Sequence, residues 1–174
     1  MRKKRNILLV DGYNLIGAQK RLFQDSLMSL ELARQELLGK LSEFQIVSNY
    51  EVLCVFDAYE VKSKETVYDY HGVEVIFTKE KETADEYIER FVYETYHPFL
   101  VDITVVTSDL PEQNAIFSYG AYRMSSREMW IELDYAEKNI SQEISNNNRQ
   151  IPKTKLNISE ETLLKLEKLR RGFK

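Results

Sequence analysis

Ile7-Leu8-Leu9-Val10-Asp11-Gly12-Tyr13-Asn14 is a short apolar run that stops on an acid, then a glycine and a polar residue. The theme returns twice. Val52-Leu53-Cys54-Val55-Phe56 stops on Asp57, and Ile103-Thr104-Val105-Val106-Thr107 runs through Ser108 to Asp109. Continuous β-branched runs with little alternation are expected of strands covered on both faces, as in a parallel sheet. Parallel strands end on one edge, and ligands of open α/β sheets bind beyond it. The three runs therefore predict three carboxylates delivered to one place.

Working outward, the segments between these runs read as helices. Leu30, Ala33, Leu37 and Leu41 recur at threes and fours, with Glu31, Arg34, Glu36 and Lys40 between them, which predicts a helix over 27–47. Residues 15–24 read as irregular or weakly helical, and Asp11 to Asn14 as a turn. Ala58 to His71 is polar and charged and reads as a loop over the active edge. Val73 to Phe77 is a short alternating strand. Thr83-Ala84-Asp85-Glu86 fits a capping box that opens a helix running towards Tyr96, and His97-Pro98 ends it. Pro111 starts a further helix that stops near Gly120. Ala121 to Met124 is a short fifth strand, and Ser126 caps a long helix with Met129, Trp130, Leu133 and Ala136 inward. Asn146 to Pro152 is a linker by composition, and Ser159 caps a last helix with Leu163, Leu166 and Leu169 inward. Strands alternating with helices give βαβ units, a mostly parallel sheet of about five strands and helices on both faces. The expected organisation is one domain over 1–145, with the linker and C-terminal helix of 146–174 packed on it or extending it.

Composition narrows the function. With 174 residues, 43% of them hydrophobic and 30% charged, the chain has the make-up of an ordinary soluble domain with a single core. No apolar stretch spans a membrane. The basic Met1-Arg2-Lys3-Lys4-Arg5 precedes an apolar run too short for a signal peptide, and the single Cys54 reads as buried filler, so a cytoplasmic location is expected. A net charge of -4 argues against a bulk nucleic-acid binder; it is compatible with a nuclease, whose metal-binding acids add negative charge while basic residues collect elsewhere.

Asp11, Asp57, Asp85 and Asp109 are the candidate site acids. Asp11 and Asp109 close apolar strands, Gly12 is expected to free the backbone beyond Asp11, and Asp85 lies in the first turn of a capped helix. Converging carboxylates raise one another's pKa unless a cation sits among them. Magnesium suits such a set, as a hard ion that takes a few carboxylates and keeps its waters. Asn14 reads either as an uncharged ligand or hydrogen-bonding group or as an Asx-turn residue. Zinc is disfavoured, since one cysteine and the isolated His71 and His97 offer no ligand spacing. Neither glycine-rich phosphate fingerprint occurs.

These features resemble the NYN branch of the PIN-like nucleases, in particular the bacterial YacP-type NYN proteins. The matching blocks are Leu8 to Ala18, Val55-Phe56-Asp57-Ala58, Val73 to Glu80, Glu82 to Glu86 with Ile88-Glu89, Val106 to Asp109 with Glu112-Gln113, and Ser125 with Arg127-Glu128. The resemblance implies a PIN-like Rossmannoid three-layer sandwich and a Mg2+- or Mn2+-dependent endoribonuclease that cuts mRNA on translating ribosomes. It implies Asp11 and Asp85 as core catalytic acids, Asp109 and Asp57 completing the metal-binding cluster, and Asn14 assisting. Arg123 and Arg127 would suit RNA phosphate, and Lys79 and Tyr13 are counted with them as RNA-binding candidates.

Two other classes compete. A non-catalytic RNA- or ribosome-binding module would keep the fold, but a pure phosphate binder gains nothing from clustered carboxylates. A phosphatase wants an acid two residues after Asp11, where Tyr13 stands; a phosphoacceptor receiver wants paired acids after the first strand and a lysine after the last, where Gly12 and Arg123 stand.

Overall fold

The computed structural model describes residues 4–19, 29–58, 65–109, 114, 116 and 118–150. The chain divides into two compact units, Met1–Ile140 and Ser141–Lys174. The first carries a six-stranded sheet. In chain order its elements are β1 (Arg5–Asp11), α1 (Gly12–Ala18), α2 (Leu30–Val47), β2 (Glu51–Phe56), β3 (Thr66–Tyr70), β4 (Val73–Phe77), α3 (Ala84–Thr95), β5 (Val101–Val106), β6 (Tyr122–Met124) and the start of α4 (Ser126–Gln150). The spatial order is β3-β4-β2-β1-β5-β6. All neighbours run parallel except β3, which pairs antiparallel with β4 at one edge.

The central strands are apolar on both sides because both sides are covered. Leu8, Val10, Val52, Cys54, Phe56, Val73, Val75 and Val106 face one core, filled by Leu15, Ile16, Leu37, Leu41, Met129, Trp130 and Leu133 from α1, α2 and α4. Ile7, Leu9, Leu53, Val55, Ile76, Ile103 and Val105 face the other, filled by Tyr87, Ile88 and Val92 of α3 and by Ile116. The result is a three-layer α/β sandwich. The expected five strands are all present, and Cys54 is fully buried as expected.

Several local readings are corrected. Thr66–Tyr70, taken as loop, is the antiparallel edge strand β3, joined to β4 by the two-residue turn His71-Gly72 with φ of 49° and 93°. Asp11 to Asn14 is a helix start: Asp11 caps α1 by accepting the Asn14 N–H. The cap of α4 is Ser125, whose hydroxyl accepts the Glu128 N–H while the Glu128 carboxylate accepts the Ser125 N–H. That leaves the Ser126 hydroxyl free for another use. Gly12 has no positive φ; its need is steric, because a Cβ there would stand 2.2 Å from Cε1 of Phe56. Helix α4 runs through 146–150, where composition predicts a linker.

Other readings hold. Thr83 and Glu86 form the expected capping box of α3, and Gly120, at φ 90°, stands just past the helical residues 114, 116 and 118. The expected helix start at Pro111, residues 59–64 of the expected loop, 20–24 and the C-terminal helix with Ser159 lie outside the described residues. Among the described residues, no helix is long and apolar enough to cross a membrane.

Candidate active site

The chain leaves β1 for β2 on one side and later returns to β5 on the other, so the strand order reverses at β1. This is where open α/β sheets bind ligands. Asp11 is level with Val55 of β2, which puts Asp57 two positions further on (57 − 55 = 2). Val10 is level with Val106 of β5, so Asp11 aligns with position 107 and Asp109 stands two positions further on (109 − 107 = 2). Asp57 and Asp109 thus follow the two strands that flank β1, just past the edge where Asp11 ends it.

The side on which each acid stands follows from strand alternation. Val10 and Phe56 face the α2 core, so Asp11 and Asp57 turn towards α3. There the Ala84 N–H, in the first turn of α3, donates to Asp57 Oδ1. Asp57 thereby fastens the end of β2 to the start of α3 and brings Asp85 to the same edge. Thr78, fully buried at the end of β4, braces the arrangement: its Oγ1 accepts the Ala58 N–H at 3.1 Å, and its own N–H donates to the Phe56 carbonyl at 3.0 Å.

Asp11 is the buried member of the set, 8% exposed. Burial pushes its carboxyl up to about 6, the Asn14 N–H opposes this, and the negative charges of Asp85, Asp57 and Asp109 push further in the same direction. The other three predicted acids therefore all bear on Asp11, and the leading charges acting on it are negative. No trio of His, Cys, Asp or Glu among the described residues is drawn together closely enough to enclose a metal unaided. The donors are all oxygen and mutually repelling, which fits a hard cation held by one or two carboxylates and its own waters. Asp11, Asp57, Asp85 and Asp109 are the residues that could hold it.

Asn14 is neither a free ligand nor an Asx-turn residue. Its Oδ1 accepts the Ser108 N–H at 3.1 Å and the Ser126 hydroxyl at 2.7 Å. Ser126, fully buried, also donates its N–H to Ser108 Oγ at 3.2 Å. This knot ties α1, the segment after β5 and the start of α4 across the point where the strand order reverses. The Thr107 hydroxyl accepts the Asp109 N–H at 3.1 Å and shapes the same segment. With its oxygen engaged twice, Asn14 can offer a ligand only its amide N–H groups.

The RNA-binding candidates stand on different elements and connections. Arg123 is exposed on β6 and Arg127 is exposed in the first turn of α4. Lys79 is exposed between β4 and α3, with its ammonium 3.9 Å from Glu82. Tyr13 is half-buried, edge-on to Phe56, and its hydroxyl accepts from Arg34 at 3.0 Å. Sequence reasoning missed Ser108, Ser126 and Arg34. The Ser125-Ser126-Arg127-Glu128 box was a usable signal that Ser125 takes the cap and releases Ser126.

The YacP-like NYN domain model matches residues 8–171. YacP of Bacillus subtilis (strain 168) is 44% identical over 167 residues, 96% of this chain and 98% of that protein. The crystal structure of Rae1 (YacP) from Bacillus subtilis superposes with a TM-score of 0.72 at 44% identity, covering 95% of each chain. Its W164L mutant gives 0.73 at 42% identity over 96% of each. With a fold and an acid-lined edge of this kind, and matches that span nearly the whole sequence, the chain belongs to the YacP-like NYN domain family, a nuclease-like family of PIN type.

Proposed function

We propose that the protein is a divalent-metal-dependent endoribonuclease that hydrolyses mRNA on translating ribosomes in the cytoplasm. The observation that carries the nuclease reading is the buried Asp11 pressed by three further carboxylates at the carboxyl edge of the sheet. The ribosomal setting rests on family membership.

Asp11, Asp85 and Asp109, with Asp57, would hold Mg2+ or Mn2+. The bound cation supplies an acidified water and neutralises charge developing on the phosphate. The chain's own part is positioning. Asp57 fixes the start of α3 and so the place of Asp85. Asn14 fixes Ser108 and with it the approach of Asp109. Arg123, Arg127 and Lys79 offer cations to flanking phosphates.

The test compares wild type with Asp85→Asn on an mRNA, free and within translating ribosomes, with Mg2+, Mn2+ or EDTA. Cleavage by wild type that both the substitution and EDTA abolish supports the proposal, and the contrast between free and ribosomal RNA names the substrate. If both proteins bind RNA or ribosomes and neither cuts in any setting, the chain is a binding module and the enzyme reading falls.

A further inference from the structure

Beside the acid edge, on the α2 face of the sheet, lies a group the reaction does not use. Tyr68, Phe77, Phe56 and Tyr13 form a line of rings with centroids 6.2, 5.5 and 5.0 Å apart. The line begins at Tyr68, 41% exposed on the edge strand, and ends two residues past Asp11. The Arg34 guanidinium lies 5.4 Å from the Phe77 ring centroid, and Nη1 donates to the Tyr13 hydroxyl. Its charge also acts on the Tyr68 hydroxyl.

Arg34 is half-buried and has no carboxylate partner among the described residues. Lys4, Arg5, Lys40 and Arg90 each meet a carboxylate within 4.0 Å. A guanidinium has five N–H donors in a planar fork that suits phosphate, and only one is used in a described hydrogen bond. Here that fork is half-buried, held in place by a tyrosine hydroxyl and a ring, and flanked by an exposed aromatic face.

We infer that Arg34 and Tyr68 form a subsite for a nucleotide of single-stranded RNA flanking the scissile phosphate, with Arg34 on its phosphodiester and a base stacked on Tyr68. The inference rests on the ribonuclease reading for the identity of the strand. The aromatic line leads from this subsite to Tyr13, next to the acid edge, so one strand can occupy both. Stacking on a ring tolerates any base, so the subsite confers grip on single strands without sequence preference.

The test measures binding of a short fluorescent single-stranded RNA in the Asp85→Asn background with Mg2+ present, over a range of salt. Arg34→Ala is expected to weaken binding about tenfold and to reduce the salt slope by about 0.7, the value for one phosphate contact on a single strand. Arg34→Lys keeps the slope. Tyr68→Ala weakens binding about tenfold with the slope unchanged, and Tyr68→Phe binds within about twofold of the parent, since the ring does the stacking. Tyr93→Ala, 71% exposed on α3, serves as the control and changes nothing. A merely structural role for Arg34 lowers the melting temperature and leaves the salt slope alone. Parental affinity and slope for both alanine variants overturn the subsite, while cleavage by wild type would leave the nuclease reading standing. Loss on Arg34→Ala with no cleavage by wild type in any setting keeps the subsite and removes the nuclease. If the parent binds no single-stranded RNA, the subsite falls, and cleavage within translating ribosomes decides the nuclease reading separately.

Discussion

Replacing Asp11 with asparagine should stabilise the metal-free protein while abolishing its activity. The ordinary value of 3.8 for this carboxyl rises to about 6 in the fold, through burial first and through Asp85, Asp57 and Asp109 besides. The folded state thus holds the proton more tightly than the unfolded chain. The stability from this group is fully present below about pH 4 and is lost as the pH rises through about 6. A difference of about two pH units corresponds to about 3 kcal/mol against folding at neutral pH. Asp11 is 8% exposed, so solvent screens little of this. Asparagine is nearly isosteric, neutral, and as good an N-cap as aspartate, so the Asn14 N–H keeps its acceptor. In EDTA at about pH 8, Asp11→Asn should melt about 6–12 °C above wild type. At about pH 4 the two should coincide, and Mg2+ at neutral pH should narrow the gap by raising wild type. Thermal melting followed by circular dichroism across that range decides it. A gap that is independent of pH, or a variant less stable than wild type at both ends, refutes the electrostatic account of the site.

Two further outcomes follow from packing and hydrogen bonding. Gly12→Ala drives a Cβ into Phe56 at 2.2 Å and should cost about 1–3 kcal/mol or more in urea unfolding, with part of the loss recovered when Phe56→Leu is added. Asn14→Ala leaves the buried Ser126 hydroxyl and the Ser108 N–H without their acceptor, which should cost about 1–3 kcal/mol. Its cleavage should fall further than its stability explains, and hydrogen exchange at Ser108 should quicken.

What the sequence carries is the direction in which each buried strand ends. Ile7 to Val10, Val52 to Phe56 and Ile103 to Val106 are apolar at successive positions because cores lie on both faces, and that alone brings Asp11, Asp57 and Asp109 to one edge. Asp85 is legible through its capping box, which fixes where α3 begins. Strand β3 escapes the same reading because it is an edge strand whose residues are exposed at every position but the last; only the turn at His71-Gly72 betrays it. Helix α1 escapes because it has seven residues and its cap is the acid itself. The knot at Asn14 is of another kind: it meets Ser108 and Ser126 at separations of 94 and 112 residues, so no local pattern holds it. Asp11, Asp57 and Asp85 are positioned by strand ends and a helix cap, whereas the segment carrying Asp109 is in addition pinned by partners distant in sequence. A substitution at Asn14 should therefore separate the two: Asp11, Asp57 and Asp85 stay where β1, β2 and α3 put them, and the segment bearing Asp109 loosens.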